Sequence, residues 1–267
     1  MRTLPQTPLV TVVTPSFNTG RYIAETLRSV RDQTYPHVEH IVLDSGSTDE
    51  TLEVLKQFPS IKLIAGAPAG LCEKLNLGFS LARGDVVAWL CADDYYLPEA
   101  IAKAVEALKQ NPDAALVYCN DLRVDENSVE LRRSRRRQTE HRQLVQDQNY
   151  VPPQTVFIRR EALDAVGPVD VRFPLVADWD LWIRISQRFA IHYVDDWWAA
   201  FRERPGQLSE TYRFSAWLQG RQMTRRHGAT FFLPRSWAYW RRMLSGFAVI
   251  TRVKASRAIQ SRLRRFR

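Results

Sequence analysis

The chain has 267 residues, a net charge of +9, 45% hydrophobic and 25% charged residues, which is the balance of a soluble globular protein. That length suits one large α/β domain with a C-terminal extension. No apolar run approaches the ~18 residues of a membrane-spanning helix, and the N-terminus lacks the apolar core of a secretory signal. The three cysteines, Cys72, Cys91 and Cys119, have no metal-site spacing and read as reduced residues of a cytosolic protein.

Leu9 to Thr14 is β-branched and apolar and stops at Pro15, which predicts a first, central strand. A helix is expected from about Arg21 to Gln33, with Ile23, Leu27 and Val30 at helical spacing. A second strand, Val38 to Leu43, ends at Asp44. Ser47 or Thr48 then reads as the N-cap of a helix reaching Phe58. Ile61 to Ile64 is a short third strand. Strand, helix, strand, helix, strand describes a wound α/β sheet with right-handed crossovers.

The stretch from Gly70 to Asp94 organises the rest. It reads as a helix, a Gly84-Asp85 turn, a buried strand Val86 to Leu90, and two adjacent carboxylates, Asp93 and Asp94. Ligands of open parallel sheets bind at the carboxyl ends of strands, and two neighbouring anions repel unless a cation or hydrogen-bonding partner offsets them. A hard divalent ion meets that need. The plainer reading is a capped loop that starts the next helix, Pro98 to about Gln110.

A strand is expected at Ala115 to Cys119, then a hairpin and a mobile loop from Leu122 to Asn149, which contains a basic run, Arg132 to Arg137. That run could bind an acceptor diphosphate or an anionic membrane, or be a solvated loop. Strand Thr155 to Ile158 and helix Arg160 to Val166 follow, the latter closed by Gly167-Pro168. A helix over Ala177 to Ile185 carries Asp178 and Asp180 in its first turn. A strand over Ile191 to Val194 then leads into a linker of Arg, Glu, Pro and Gly. Three amphipathic helices are predicted to end the chain, at about Ser209 to Arg226, Pro234 to Leu244 and Gly246 to Arg265.

The charge is concentrated at this end. Ten basic residues and no acidic one lie between Arg235 and Arg267, so the remainder is close to neutral. Interleaved with Trp237, Tyr239, Trp240 and Phe247, they suit an anionic bilayer surface, the alternative being a tail packed on the domain. Nucleic acid is not expected as a partner, because the aromatic residues sit among aliphatic ones and form no recognisable binding module.

Three acidic stations follow in order: Asp44, Asp93-Asp94, and Asp178 or Asp180. With Val13-Thr14-Pro15-Ser16-Phe17-Asn18, Asp44-Ser45-Gly46-Ser47-Thr48-Asp49, Asn76-x-Gly78, Ala82-Arg83-Gly84-Asp85, Leu90-Cys91-Ala92-Asp93-Asp94 and Ala177-Asp178-Trp179-Asp180-Leu181-Trp182, the chain resembles the inverting family 2 glycosyltransferases of the GT-A fold over roughly residues 9 to 200. The resemblance implies an α/β nucleotide-diphospho-sugar transferase fold, with a mostly parallel central sheet flanked by helices. The transferase domain is expected over residues 1–205, with a nucleotide-sugar half to about 121 and an acceptor half beyond it. Residues 206–267 form the helical extension.

By the same resemblance, Thr14, Pro15 and Ser16 border the nucleotide, and Asp44 accepts a hydrogen bond from the base imide of a UDP- or dTDP-sugar. Glu73 and Lys74 approach the sugar diphosphate, or are a solvated helix face. Asp93 serves the ribose side and Asp94 a Mg²⁺ or Mn²⁺. Cys91 stands where the fuller family motif is acidic, so the two roles are exchangeable. Inverting transfer needs one general base, assigned to Asp178 with Asp180 as second choice. The two point about 200° apart on a helix and cannot share the role. Asp180 would otherwise pair with Arg184, one turn later. His192 and His227 are further candidate metal ligands, or satisfied histidines. The implied activity is metal-dependent transfer of a sugar to a hydroxyl of a glycan or lipid-linked saccharide, at the inner face of a bacterial plasma membrane. The alternative is a non-catalytic nucleotide-sugar-binding scaffold.

Overall fold

The computed structural model describes residues 1–230. The tail helices expected at Pro234 to Leu244 and Gly246 to Arg265, and with them the membrane-binding surface, lie outside the described residues. In chain order the first half contains β1 (Val10–Ser16), α1 (Gly20–Arg31), β2 (Val38–Asp44), α2 (Thr51–Lys56), β3 (Lys62–Ala65), α3 (Leu71–Leu81), β4 (Val86–Trp89), β5 (Tyr95–Tyr96) and α4 (Ala100–Gln110). The second contains β6 (Ala114–Val124), β7 (Glu130–Ser134), α5 (His141–Gln146), β8 (Phe157–Arg159), α6 (Arg160–Val166), α7 (Ala177–Arg188), β9 (Ala190–Arg202), α8 (Leu208–Thr211) and α9 (Arg213–Arg226).

The strands join in one sheet in the order β3-β2-β1-β4-β8-β6-β9-β5, with β7 added to β6. Pairing is parallel from β3 to β4 and between β6 and β9. It is antiparallel where β8, β7 and β5 join. The expected α/β architecture with a helix-flanked central sheet is therefore what the chain forms.

Alternation along β1 sends Val13 to one face and Val12 to the other, and both are fully buried, because helices cover each side. On one face Val13, Leu43, Val87 and Trp89 pack with Leu75 and Phe79 of α3 and Trp182 of α7. The Trp89 ring stacks on Phe79 and on Trp182, with centroids 6.1 and 5.8 Å apart, and so ties α3 and α7 to the strand between them. On the other face Val12, Val86 and Ala88 meet Ile101, Ala104, Val105 and Leu108 of α4.

Several boundaries differ from expectation. The second helix begins at Thr51, not at Ser47 or Thr48, because Asp49 receives the backbone N–H groups of Gly20 and Thr51 and holds the preceding loop against α1. The hairpin expected from Leu122 forms, β6 continuing to Val124 and β7 returning beside it, but the stretch after it expected as a loop contains α5. The arginine run forms β7 and the chain beyond it, and its charges are largely matched within the fold. Arg132 pairs with Glu203, Arg133 with Glu130, Arg135 with Asp195 and Arg136 with the fully buried Asp121. The strand expected at Ile191 to Val194 extends to Arg202 and absorbs much of the supposed linker. Its far end pairs with β5, Tyr95 against Ala200 and Tyr96 against Ala199.

Candidate functional site

Ser16 and Asp44, the last residues of β1 and β2, are register partners, and the turn after β4 carries Cys91, Asp93 and Asp94 to the same rim. Asp44 is completely buried. One of its oxygens accepts the N–H groups of Gly46 and Ser47 at 3.0 and 2.8 Å, and the other accepts the hydroxyls of Ser16 and Ser47 at 3.0 and 2.6 Å. Those four bonds fill the capacity of a carboxylate. An incoming N–H donor must therefore displace one of them, and the rotatable hydroxyls are the donors that can yield.

Thr14 faces elsewhere: its hydroxyl pairs with His40 Nε2 at 2.8 Å, and burial pushes that imidazole down to about 3, so it is neutral. The two candidates at the start of α3 part company. Glu73 is exposed and folds over Gly70. Lys74 is buried, donating from Nζ to the Ser16 carbonyl at 3.2 Å. Burial lowers its pKa, while Asp44 and Cys91 act in the opposite direction.

Asp94 is buried and Asp93 partly exposed. Burial and the neighbouring Asp93 charge raise the Asp94 carboxyl well above the usual carboxylate range. Arg202 and Arg204 meet this turn because the antiparallel pairing of β5 with β9 carries the end of β9 back across it. The Arg202 backbone N–H donates to Asp94 Oδ1 at 2.9 Å, and its Nε donates to the Asp93 carbonyl at 2.8 Å. Its remaining donors reach the Asp125 carbonyl, Ser128 Oγ and Glu25, and its guanidinium lies 5.0 Å from the centre of the Tyr22 ring. Arg204 Nε donates to Asp93 Oδ2 at 2.7 Å. Thr26 Oγ1 completes the turn by donating to the Asp94 carbonyl.

Across the rim, Asp178 stands in the first turn of α7 and accepts from Asn149 Nδ2 at 2.7 Å. Burial pushes its carboxyl up to about 6, against the downward pull of nearby backbone N–H groups and Asn149. Asp180 points away, as helical geometry requires. It binds Arg184 Nε at 2.8 Å and His227 Nε2 at 2.9 Å, and those partners hold its pKa below the usual range despite burial. His227 is thereby a structural partner joining the end of α9 to α7, and His192 lies in β9 against Val117. Cys91 is the common neighbour: burial raises its thiol pKa, with Asp94, Asp93 and Asp178 adding to the rise and Lys74 opposing it.

The family model for glycosyl transferase family 2 matches residues 11–167, from β1 through α6. The chain belongs to that family. A PGL/p-HBAD biosynthesis glycosyltransferase of Mycobacterium bovis (strain BCG) is 28% identical over 245 residues, covering 86% of this chain and 91% of that relative. Matches to the first curated relatives span 18%, 56% and 43% of those proteins' own lengths. Among solved structures, S. aureus TarS in complex with UDP superposes with a TM-score of 0.64 at 17% identity, over 84% of this chain and 67% of that one. The mannosyltransferase PcManGT from Pyrobaculum calidifontis, in complex with GDP-Man and Mn²⁺, gives 0.63 at 21% identity, over 82% and 64%. Both share the GT-A-like fold.

In this family-2 chain, ligand atoms of Cys91, Asp93 and Asp94 lie within 4.8 Å of one another, a candidate seat for a divalent cation. A hard cation selects oxygen over sulfur, so the two carboxylates fit the ion and the Cys91 thiol does not. Arg202, Arg204 and Asn149 are the residues of this site that sequence reasoning missed. The signal for the arginines was the run Trp197-Trp198-Ala199-Ala200-Phe201, whose aromatic content suits a strand continuing to Arg202.

Proposed function

We propose that the chain transfers a sugar, with inversion, from a UDP- or dTDP-sugar to a hydroxyl of a glycan or lipid-linked saccharide, assisted by Mg²⁺ or Mn²⁺. The observation that carries this reading is the convergence of Asp178 with Asp93 and Asp94 around Cys91, with Asp178 held by Asn149 and its carboxyl raised to about 6. A base with that affinity is ionised at neutral pH, yet retains more proton affinity than a solvated carboxylate. Asp178 takes the proton from the acceptor hydroxyl as that oxygen attacks the anomeric carbon, and Asn149 keeps the carboxylate oriented. Asp44, with Ser16 and Ser47 yielding a bond, receives the imide N–H of the base, while Thr14 and Pro15 border it through their backbone. Lys74, and Glu73 at the mouth, lie toward the diphosphate. Asp93 and Asp94 would hold the cation, which supplies charge neutralisation on the departing nucleoside diphosphate.

The UDP complex of TarS supports a uracil donor, and the Mn²⁺ in the mannosyltransferase complex supports the cation. Among the described residues no helix is long and apolar enough to cross a membrane. Peripheral attachment at the inner face of a bacterial plasma membrane is proposed from the ten basic residues from Arg235 to Arg267.

The test is a thermal-shift titration of UDP- and dTDP-sugars with and without Mn²⁺. A rise in melting temperature that requires metal and vanishes in Asp94→Asn is expected. A wild type that no nucleotide sugar stabilises under any metal condition would overturn the donor assignment and favour the scaffold.

A further inference from the structure

Next to the base lies a cavity of about 280 Å³ that the donor chemistry leaves unused. Its lining is mixed and mainly apolar in exposed surface: Leu175 and Val176 just before α7, Trp179 within it, and Ala216 and Trp217 of α9 form the apolar part, and Asp147, Gln148, Ser209 and Arg213 the polar part. Asn149 also lines it, and Asn149 donates to Asp178. One side chain therefore borders both the cavity and the carboxylate.

The wall is fixed by close packing. α9 approaches α7 at Gly220, where a Cβ would sit 2.9 Å from the Trp179 ring. Gln219 Oε1 accepts the Leu175 N–H at 3.0 Å, so the loop entering α7 is tied to the same helix. On the outer side Phe214 stacks on Trp217 with centroids 5.9 Å apart.

Size and polarity narrow the occupant. An apolar cavity of about 150 Å³ takes a benzene ring, so this one holds a substituted aryl ring or a short alkyl chain. We propose that this cavity receives the apolar aglycone of the acceptor. The acceptor is then an amphiphile that presents its hydroxyl to Asp178 past Asn149. This rests on the glycosyl-transfer reading for the identity of the acceptor, but binding of the apolar group can be measured without turnover.

The experiment is isothermal titration of the full chain with phenyl β-D-glucopyranoside and with methyl β-D-glucopyranoside, which differ only in the aglycone. Phenyl binding at least about tenfold tighter than methyl is expected, falling to parity in Ala216→Phe, which fills the cavity. Leu175→Ser, which makes the wall polar, should reduce the preference in the same direction and serves if Ala216→Phe does not fold. Equal affinities, no binding of either glycoside, or a preference that survives a folded cavity variant would overturn the proposal. UDP-sugar binding with Mn²⁺, measured on the same samples, keeps the two readings apart. If it is absent while the phenyl preference holds, the donor assignment fails and the apolar site stands. If it is intact in all variants while the preference is missing, the donor assignment stands and the aglycone site fails.

Discussion

Arg204 donates to Asp93 across 111 positions of sequence, Nε to Oδ2 at 2.7 Å, and so serves as the counter-ion of the residue expected to meet a metal. A guanidinium and a divalent cation compete for one carboxylate oxygen. Arg204→Gln should therefore bind Mn²⁺ more tightly in the absence of nucleotide, by roughly three- to tenfold, as read by the loss of the free-ion signal in paramagnetic resonance titration. Weaker binding in the variant would show that Arg204 supports the site and does not compete for it.

Arg202 predicts stability in place of affinity. Its side chain is 1% exposed and ties the Asp93-Asp94 turn to the β6–β7 hairpin and to α1. Arg202→Ala would leave the Asp93 and Asp125 carbonyls without these donors and open a void between the Tyr22 and Tyr95 rings. A loss of about 3 kcal/mol in urea unfolding is expected, with Arg202→Lys losing less. An unchanged midpoint would remove Arg202 from the framework of the turn.

Asp178 gives the pH dependence. A base must be unprotonated to act, so kcat/KM should rise about tenfold per pH unit below about 6 and level off above it. Asp178→Asn should lower kcat by about 10² to 10⁴ and abolish that limb. The stability effect runs the other way. A carboxyl whose folded pKa is raised contributes its stability below the unfolded value near 4, and that contribution is lost as pH rises through about 6. The Asn variant should accordingly gain in melting temperature over wild type above pH 6 and not below pH 4. A wild-type rate that is flat from pH 5 to 8 would argue against Asp178 as the base.

Gly84 separates a structural motif from a catalytic one. A Cβ there would lie 2.6 Å from both Thr11 N and Val86 O, backbone atoms that cannot turn aside. Around it, Arg83 pairs with Glu39, Thr11 Oγ1 accepts the Gly84 N–H, and Asp85 accepts the Leu9 N–H. The Arg-Gly-Asp turn is thus a clamp at the opposite end of β1 and β4 from the carboxylate-bearing rim. Gly84→Ala should cost about 2 kcal/mol or more in chemical denaturation and leave the Mn²⁺ dependence of donor binding unaltered. Normal stability with altered metal dependence would reverse that assignment.

The parts of the fold legible in sequence are those whose signal is carried by the local residue pattern. β1, β2 and β4 show as buried β-branched runs, α7 shows its periodicity and acidic first turn, and the strand-end carboxylates follow from the order of elements. What escaped depends on distant pairing. Tyr95-Tyr96 is two residues long and becomes a strand only because Ala199 and Ala200 run beside it. The arginine run looked like a solvated loop because its acids, Glu203, Asp195 and Asp121, come from β6, β9 and just beyond. Lys74 and Glu73 were equivalent by composition, and only the placement of α3 over β1 turned one inward.

The end of β9 also sets a rule for recombination. Arg202 and, just past the strand, Arg204 belong mechanically to the Asp93-Asp94 turn, and from Leu208 onward the chain contributes to the wall of the cavity. Between them Gly206 sits at φ 79°, in a short stretch that few other residues could follow. Chimeras that exchange α8 and α9 among related enzymes should be joined there, after Arg204. A crossover only a few positions earlier would import a foreign brace for the Asp93-Asp94 turn along with the new cavity wall.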